Sequence, residues 1–221
     1  CGSDFPQNCP GEFSLFGHRV IPMSLDLILA SGSAIRAQIL RNAGLRLEID
    51  SPSLDEEAIR ASLTEEGAPP REVADALAEA KARRIASKGA EVPVLGCDQV
   101  LSCDGEIFSK PATRDDARDH IRALRGKTHH LLSAAVLYED AEPVWRHVGV
   151  ARLTMRDISD AALDDYLDRA WPDIASSLGG YKLEAEGVRL FSQIQGDYFT
   201  ILGLPLIELL NHLTLTGRLP A

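Results

Sequence analysis

The sequence predicts an α/β protein with a mixed sheet, that is, one containing both parallel and antiparallel strands. An apolar run at residues 25–30 is followed at once by a small-residue turn and a helical pattern. Residues 94–111, VLGCDQVLSCDGEIFSKP, have the pattern of two strands joined by a tight turn at Asp104-Gly105. Because helical patterns lie between strands and antiparallel pairs are inserted among them, the order of elements indicates a mixed sheet.

The first strand leads into a turn that is suited to bind an anion. Ser31-Gly32-Ser33 precedes a helical pattern at residues 34–43, which Gly44 is expected to end. Such a turn presents hydroxyl groups and free backbone N–H groups at a helix N-terminus. Arg36, in the first turn of the helix, adds further donors. The alternative is a plain N-cap by Ser31 or Ser33, which the local sequence favours equally.

Two further segments place charged residues where they can serve structure or chemistry. Asp55-Glu56-Glu57 precedes a short helix, and three adjacent acids are commonly a solvated helix start favoured by the helix dipole. A longer helix is predicted at residues 71–87, opened by Pro69-Pro70. Lys81 borders its apolar stripe, so the side chain either runs along the surface to solvent or points into a cleft.

The central segment carries an acid and a lysine. The apolar run at residues 92–97 ends on Asp98, and open α/β sheets bind ligands at the carboxyl ends of their strands. The hairpin then returns Lys110, which is followed by Pro111. A carboxylate can hold a metal ion, and an ammonium group can face phosphate oxygens. Taken alone, the segment is also compatible with an ordinary hairpin with a capping Asp and a solvated Lys.

The second half of the chain also contains predicted strands and helices. His129-His130 is no metal pair, because adjacent residues of a strand point to opposite faces. The remaining predicted elements are a strand at residues 47–50, helices at 114–125 and 160–169, strands at 129–138 and 144–155 that form a long hairpin, a strand at 188–194, and a turn followed by a helix within 201–213.

Composition limits the functional classes. A net charge of −10 over 221 residues argues against sequence-independent nucleic-acid binding. The four cysteines form no CxxC pair, which fits a reducing, cytoplasmic setting. No apolar run approaches the roughly 20 residues needed to span a bilayer. Residues 1–22 have no periodicity and are expected to be a leader or added extension, and residues 23–221 a single α/β domain.

Several blocks of the chain, in their order and spacing, resemble the Maf family of nucleoside triphosphate pyrophosphatases. The blocks are LILASGSAIRAQIL, Asp55-Glu56, AEAKARRIA, GCDQVLSCDGEIFSKP and GGYKLEAEGVRLF…GDYFTILGLPL, and together they extend over residues 25–213. The resemblance implies a two-lobed fold with a central cleft, similar to that of the inosine-triphosphatase group, and frequent homodimers. It also implies hydrolysis of a nucleoside triphosphate between the α and β phosphates, dependent on Mg²⁺ or Mn²⁺.

The resemblance further implies roles for individual residues. Asp98 and Glu56 match the acids that hold metal or activate water, and Lys81 and Lys110 match the lysines that contact the triphosphate. Four more matching positions concern the substrate. Ser31, Ser33 and Arg36 match the phosphate-binding turn, although Ala34 and Ile35 replace the Pro and first Arg of the usual Ser-Pro-Arg-Arg, and Glu184 stands where many members have glutamine.

The substrate class predicted from these departures is a modified or non-standard nucleotide. Asp98-Gln99 replaces the Asp-Thr of dTTP/UTP-directed members, and Tyr181-Lys182-Leu183-Glu184 replaces Tyr-Gly-Ile-Gln. These changes resemble the branch associated with 7-methyl-GTP, with Gln99 and Glu184 as substrate-binding residues. A carboxylate accepts hydrogen bonds from guanine and favours the cationic methylated base. The alternatives are house-cleaning hydrolysis of dTTP or UTP, and a nucleotide-binding regulator of cell division without turnover.

Overall fold

The computed structural model describes residues 25–220, so the predicted leader at residues 1–22 lies outside the described residues. The predicted α/β class is confirmed. The strands are β1 (Leu27–Ala30), β2 (Leu47–Ile49), β3 (Val94–Cys103), β4 (Glu106–Phe108), β5 (Thr128–Glu139), β6 (Glu142–Met155) and β7 (Phe191–Gln195). The α-helices are α1 (Ala34–Asn42), α2 (Glu56–Glu65), α3 (Pro70–Ala86), α4 (Arg114–Leu124), α5 (Asp160–Ala170), α6 (Tyr198–Ile201) and α7 (Leu206–Leu215).

All these strands belong to one 7-stranded mixed sheet of order β2-β1-β3-β5-β6-β7, with β4 paired to β3 outside this path. β1 runs parallel to β2 and to β3, whereas the remaining pairs are antiparallel. The tight turn between β3 and β4 is confirmed, because Asp104 and Gly105 both have positive φ, 52° and 88°. Two consecutive residues of this conformation match the right-handed twist of the strands they join.

The predicted end of the central strand at Asp98 is wrong. β3 continues to Cys103, because β5 pairs with it from Val94↔Tyr138 to Ser102↔His130 and gives the later residues backbone partners. The parallel neighbour β1 does stop early, since its last residue, Ala30, lies opposite Gly96. Asp98 therefore lies just past the end of β1, and this opening gives it room for a functional contact.

Helix α3 packs closely on the middle of the sheet. Half of its buried residues are alanines, and Ala74, Ala78 and Ala82 are fully buried. The helix comes so near that a Cβ added at Gly96 would lie 2.1 Å from the Ala78 carbonyl oxygen and 2.6 Å from the Ala82 nitrogen. Alanine on the helix and glycine on the strand together permit this approach, which sets the distance between Lys81 and β3.

The strand predicted at residues 188–194 starts later than expected. Glu186–Leu190 forms a 3₁₀ turn, and extended backbone begins only at Phe191. The physical reason is a close backbone contact within the preceding loop, since a Cβ on Gly187 would lie 2.4 Å from the Lys182 carbonyl oxygen. Residues 182–187 therefore form a closed loop, whose exposed tip carries Glu184.

No helix within residues 25–220 is both long enough and apolar enough to cross a lipid bilayer.

Candidate active site

The turn between β1 and α1 has the geometry expected of an N-cap. Ser33 is the N-cap residue of α1, and its hydroxyl accepts the backbone N–H of Arg36 at 3.5 Å. The hydroxyl of Ser31, which is buried, accepts the backbone N–H of Ser33 at 3.3 Å. Capping does not exclude anion binding, because the exposed Gly32 and the remaining free N–H groups of the first helical turn are still available.

Arg36 is largely engaged by the protein itself. Its guanidinium donates through Nη1 to Ser31 Oγ at 3.1 Å and to the Cys97 carbonyl at 2.9 Å. Nε donates to the Gly203 carbonyl at 2.8 Å. The residue is only 9% exposed, so Arg36 ties α1 to β3 and to the segment before α7. Of the donors predicted to face a phosphate group, those on Nη1 and Nε already have protein partners.

Lys81 lies between two carboxylates, and this cluster is the centre of the candidate site. Its Nζ is 2.7 Å from Asp98 Oδ1 and 2.8 Å from Glu56 Oε2. Lys81 and Asp98 are 6% and 5% exposed, whereas Glu56 is half-buried. Of the two arrangements open for Lys81 from sequence, the cleft is therefore the one observed. Two carboxylates and one ammonium group leave a local charge of one negative unit, which favours a cation.

The backbone around each residue explains how the cluster forms. Asp55 caps α2 by accepting the Ala58 N–H at 3.0 Å, so Glu56 becomes the first helical residue and projects from the helix start. Lys81 follows Leu77 by one helical turn and therefore shares its buried face. Asp98 follows Gly96 by two residues, so both face α3 across the same side of the sheet.

One carboxylate oxygen of the cluster is held and the other has no protein partner. Lys81 fixes Asp98 Oδ1, whereas Asp98 Oδ2 is buried without a hydrogen-bond partner. Buried carboxylate oxygens are costly to leave unpaired, which indicates that Oδ2 serves a ligand or a water molecule. Within residues 25–220 no group of three or more His, Cys, Asp or Glu side chains could hold a metal ion. Two carboxylates still suit Mg²⁺, which takes its other ligands from substrate phosphates and water.

Lys110 is not part of the cluster. It is exposed, and within the described residues it makes no ion pair. A groove of about 500 Å³ has a lining that includes Ser109, which precedes Lys110, and Glu57, which follows Glu56. A second groove of about 610 Å³ is lined by residues 67–70 and the β3–β4 hairpin. Neither groove is lined by Glu56 or Asp98. Lys110 follows the groove-lining Ser109, and a long lysine side chain without an ion pair in residues 25–220 can move toward a bound polyanion.

The two residues predicted to read the base have different surroundings. Gln99 donates through Nε2 to Ser133 Oγ at 2.9 Å and to the carbonyls of Thr200 and Ile201 at 3.2 and 3.0 Å. Its amide nitrogen thus fixes the C-terminal part of α6 against the sheet. Glu184 is exposed, and the carboxylate has no hydrogen bond or ion pair to any residue between 25 and 220.

Cys97, next to Asp98, is a packing residue. The thiol is fully buried in the core, and burial raises its pKa to about 11. The thiolate is the reactive form of cysteine, so this side chain is chemically inert at neutral pH.

The family follows from comparison with known proteins. A family model described as Maf-like protein matches residues 26–216. The chain belongs to the Maf family. A nucleoside triphosphate pyrophosphatase of Ruegeria pomeroyi is 55% identical over 195 residues, which cover 88% of this chain and 98% of the relative. A 7-methyl-GTP pyrophosphatase of Brucella abortus biovar 1 is 46% identical over 191 residues, covering 86% and 96% of the two chains.

Among solved structures, a HAM1 protein from Coxiella burnetii matches with a TM-score of 0.42 and 19% identity, over 61% of this chain and 75% of that one. A TM-score this low supports no transfer of fold detail or activity between the two proteins.

The sequence pattern did not predict several residues that hold the candidate site residues in place through hydrogen bonds and packing. Ser133 donates to the Thr200 carbonyl at 2.7 Å and accepts from Gln99, and Gly203 supplies the carbonyl that holds Arg36. Ser51 approaches the turn at Ser31–Ser33, since a Cβ on Gly32 would lie 3.2 Å from its hydroxyl oxygen. These contacts join residues far apart in the chain, and a serine or a glycine carbonyl gives no local signal of such a partner.

Proposed function

We propose that the protein hydrolyses nucleoside triphosphates between the α and β phosphates, releasing a nucleoside monophosphate and pyrophosphate. Membership of the Maf family and 55% identity to a nucleoside triphosphate pyrophosphatase support this activity. The observation that carries it in this chain is the Asp98 carboxylate, held through one oxygen by Lys81 and with the other oxygen buried and unpaired.

In the proposed reaction, a water oxygen attacks the α phosphorus and the bond from that phosphorus to the α–β bridging oxygen breaks. Asp98 Oδ2 orients the water and accepts its proton, and the electrons of the broken bond leave on pyrophosphate. Lys81 holds the carboxylate in place. Lys110, which follows the groove-lining Ser109, and the N–H groups of the Ser31–Ser33 turn offset charge on the triphosphate.

A divalent cation, Mg²⁺ or Mn²⁺, completes the proposed site. Asp98 and Glu56 would hold it, because their second oxygens remain beyond the contacts with Lys81 and because two carboxylates suit such an ion. When bound, the ion supplies charge neutralisation for the triphosphate. The protein's own cations near the cluster are few, and Arg36 is mostly engaged internally, so this contribution is substantial.

The proposed substrate is a modified nucleotide such as 7-methyl-GTP. A 7-methyl-GTP pyrophosphatase is among the relatives at 46% identity. Glu184 supports this choice, because its carboxylate is exposed and unpaired within residues 25–220 and would attract a cationic base. The alternative substrates are dTTP and UTP. A panel of these nucleotides with product identification separates the two, and nucleotide binding without turnover in the presence of Mn²⁺ would instead support a regulatory role.

The substitution Asp98→Asn tests the proposed mechanism. Asparagine keeps an oxygen for Lys81 but cannot accept the proton of water, so turnover is expected to fall by about 10²–10⁴. Pyrophosphate release measures the loss, and a cooperative urea transition shows that the variant is folded. Asp119→Asn, an exposed change on α4, is the matched control. Full turnover by the Asp98 variant would refute the assignment.

A further inference from the structure

A buried pair of polar side chains, outside the acidic cluster, connects the sheet to the loop that carries Glu184. His129 Nε2 and the Tyr181 hydroxyl are 2.7 Å apart. His129 is 0% exposed and Tyr181 is 3% exposed. The Phe191 ring packs edge-on against Tyr181 at 4.8 Å and lies 5.8 Å from the His129 ring. The pair therefore packs against Phe191 and is shielded from water.

Among residues 25–220, the Tyr181 hydroxyl is the only hydrogen-bond partner of the His129 ring. Nδ1 of His129 is buried and has no partner. Burial lowers the pKa of His129 to about 4, so the ring is neutral at physiological pH. A buried bond of this kind is costly to break, because water cannot replace either partner.

Regular backbone pairing contributes little to this loop. Between α5 and β7 the chain forms only short 3₁₀ turns, at Asp173–Ser176, Leu178–Gly180 and Glu186–Leu190. Gly179 and Gly180 have φ of 72° and 74°, so the backbone reverses immediately before Tyr181. Side chains therefore hold much of the segment. Ile174 and Leu190 pack in the core against strand residues, and Tyr181 adds a side-chain hydrogen bond to His129, near the start of β5.

Tyr181 immediately precedes the loop of residues 182–187 in the chain. The backbone of Lys182 contacts Gly187, which closes residues 182–187 into a compact loop with Glu184 exposed near its middle. Ion pairs at the surface, Lys182 with Asp173 and Arg169 with Glu186, add lateral support. A shift of Tyr181 would displace this closed loop as a unit, because its two ends are already in contact.

We infer that the His129–Tyr181 hydrogen bond is a positioning device that fixes the Glu184 loop, and that it thereby sets nucleotide selectivity without touching the substrate. The selectivity part rests on the proposed function, whereas the anchoring part does not.

The first arm of the test measures anchoring by hydrogen exchange. Tyr181→Phe removes only the hydroxyl, and His129→Phe removes the other partner. Either change is expected to speed amide exchange at residues 178–190 about tenfold, which corresponds to the loss of one hydrogen bond. The exchange rates of amides in α3 and β3 are expected to stay the same. Tyr138→Phe is the matched control, because that buried tyrosine bonds Glu79 at 3.0 Å on the other face of the sheet. Unchanged exchange at residues 178–190 in both variants overturns the inference.

The second arm measures selectivity as the ratio of kcat/KM for 7-methyl-GTP and UTP. Tyr181→Phe is expected to shift this ratio toward that of Glu184→Gln. In the Glu184→Gln background it is expected to cause no further shift, because the bond acts through Glu184. Independent, additive effects of the two substitutions overturn the positioning role. If the wild-type protein turns over no nucleotide, the proposed function fails, and the exchange measurements still decide whether the pair anchors the loop.

Discussion

At the scale of single residues, the acidic cluster of the candidate site is organised around one buried lysine. Lys81 contacts Asp98 and Glu56 at 2.7 and 2.8 Å, and it is nearly as inaccessible as Asp98. Its role is to balance the charge of a carboxylate that the sheet and α3 enclose. An isolated charge at this depth is unfavourable, so the lysine contributes to folding.

The substitution Lys81→Met removes the ammonium group and keeps most of the side-chain volume. Because Asp98 would then be a buried charge without a partner, the free energy of unfolding is expected to fall by about 3 kcal/mol or more. Urea unfolding measures the change. The double variant Lys81→Met with Asp98→Asn is expected to recover much of this loss, since neither charge remains. If the single variant unfolds at the wild-type urea concentration, the pair has no structural importance.

At the scale of elements, the contact between α3 and β3 sets the geometry of the cluster. Gly96 lies against the backbone of α3 at Ala78 and Ala82. Ala82 is the residue that follows Lys81 in the chain. The strand that contains Gly96 carries Asp98 two residues later. The separation between helix and strand, and with it the reach of the ammonium group, therefore depends on the absence of a side chain at position 96.

The substitution Gly96→Ala is expected to push α3 away from the sheet. Its Cβ would meet the Ala78 carbonyl at 2.1 Å, so backbone has to move, at a cost of about 1–3 kcal/mol. Lys81 would then lose its contact with Asp98, and pyrophosphate release should fall with stability. Gly89→Ala, strained at φ 83° but with open space around the new Cβ, should lose stability alone. Equal activity losses in both variants would contradict this account.

A second feature at this scale is a ladder of ion pairs between α4 and α5. The pairs recur at intervals of one helical turn: Arg114–Asp168, Arg118–Asp164 and Arg122–Asp160, with Arg125 also bound to Asp160. Hydrogen bonds from Arg122 and Arg125 lower the pKa of Asp160 from 3.8 to about 2. A carboxyl group whose pKa is lower in the folded protein stabilises it above the unfolded pKa, and this stabilisation is lost as pH falls toward the folded value.

Asp160→Asn tests the ladder through pH. The variant is expected to be less stable than the wild type near neutral pH, and the gap should narrow as pH falls from about 4 to about 2, because the wild-type carboxylate then takes up a proton. Urea midpoints of the two proteins over this range give the comparison. Asp119→Asn, which removes an exposed acid of α4 without an ion pair in the described chain, should show no such convergence. A gap that stays constant down to pH 2 would exclude the ladder as its source.

At the scale of the whole molecule, the site draws residues from well-separated parts of the chain. Ser31 follows β1, Glu56 starts α2, Lys81 lies in α3 and Asp98 in β3, and Gly203 precedes α7. A ligand that binds all these groups binds only the folded chain. Ligand binding is therefore coupled to global unfolding.

A GTP analogue with a methylene group in place of the α–β bridging oxygen is expected to raise the melting temperature. At about 100 times its dissociation constant, it adds about 2.7 kcal/mol of stability. For a chain of this size that corresponds to roughly 5–10 °C. The shift should need Mn²⁺ or Mg²⁺ and disappear with EDTA or in Asp98→Asn. An equal shift in the presence of EDTA would contradict metal binding by Asp98 and Glu56.

How much of the site the sequence predicts differs between residues. Ser33 and Gly105 were predictable because their roles are local, a cap and a turn, and both are confirmed. Lys81 was ambiguous, because the border of an apolar stripe allows both solvent and cleft. Arg36 was predicted to face phosphate, but most of its guanidinium bonds the protein, and a carbonyl more than 160 positions away gives no sign in the local pattern.

The sequence by itself determined the order of helices and strands, the hairpin at Asp104-Gly105, and the set of candidate acidic and basic residues. These follow from short-range periodicity, turn residues and motif spacing. Only the tertiary structure decided that β3 continues past Asp98, that Lys81 turns inward, and that Tyr181 bonds His129. Those outcomes depend on strand register and on packing between distant segments. Register and packing are properties of the whole folded chain, since each contact becomes favourable only when its neighbours have already excluded water.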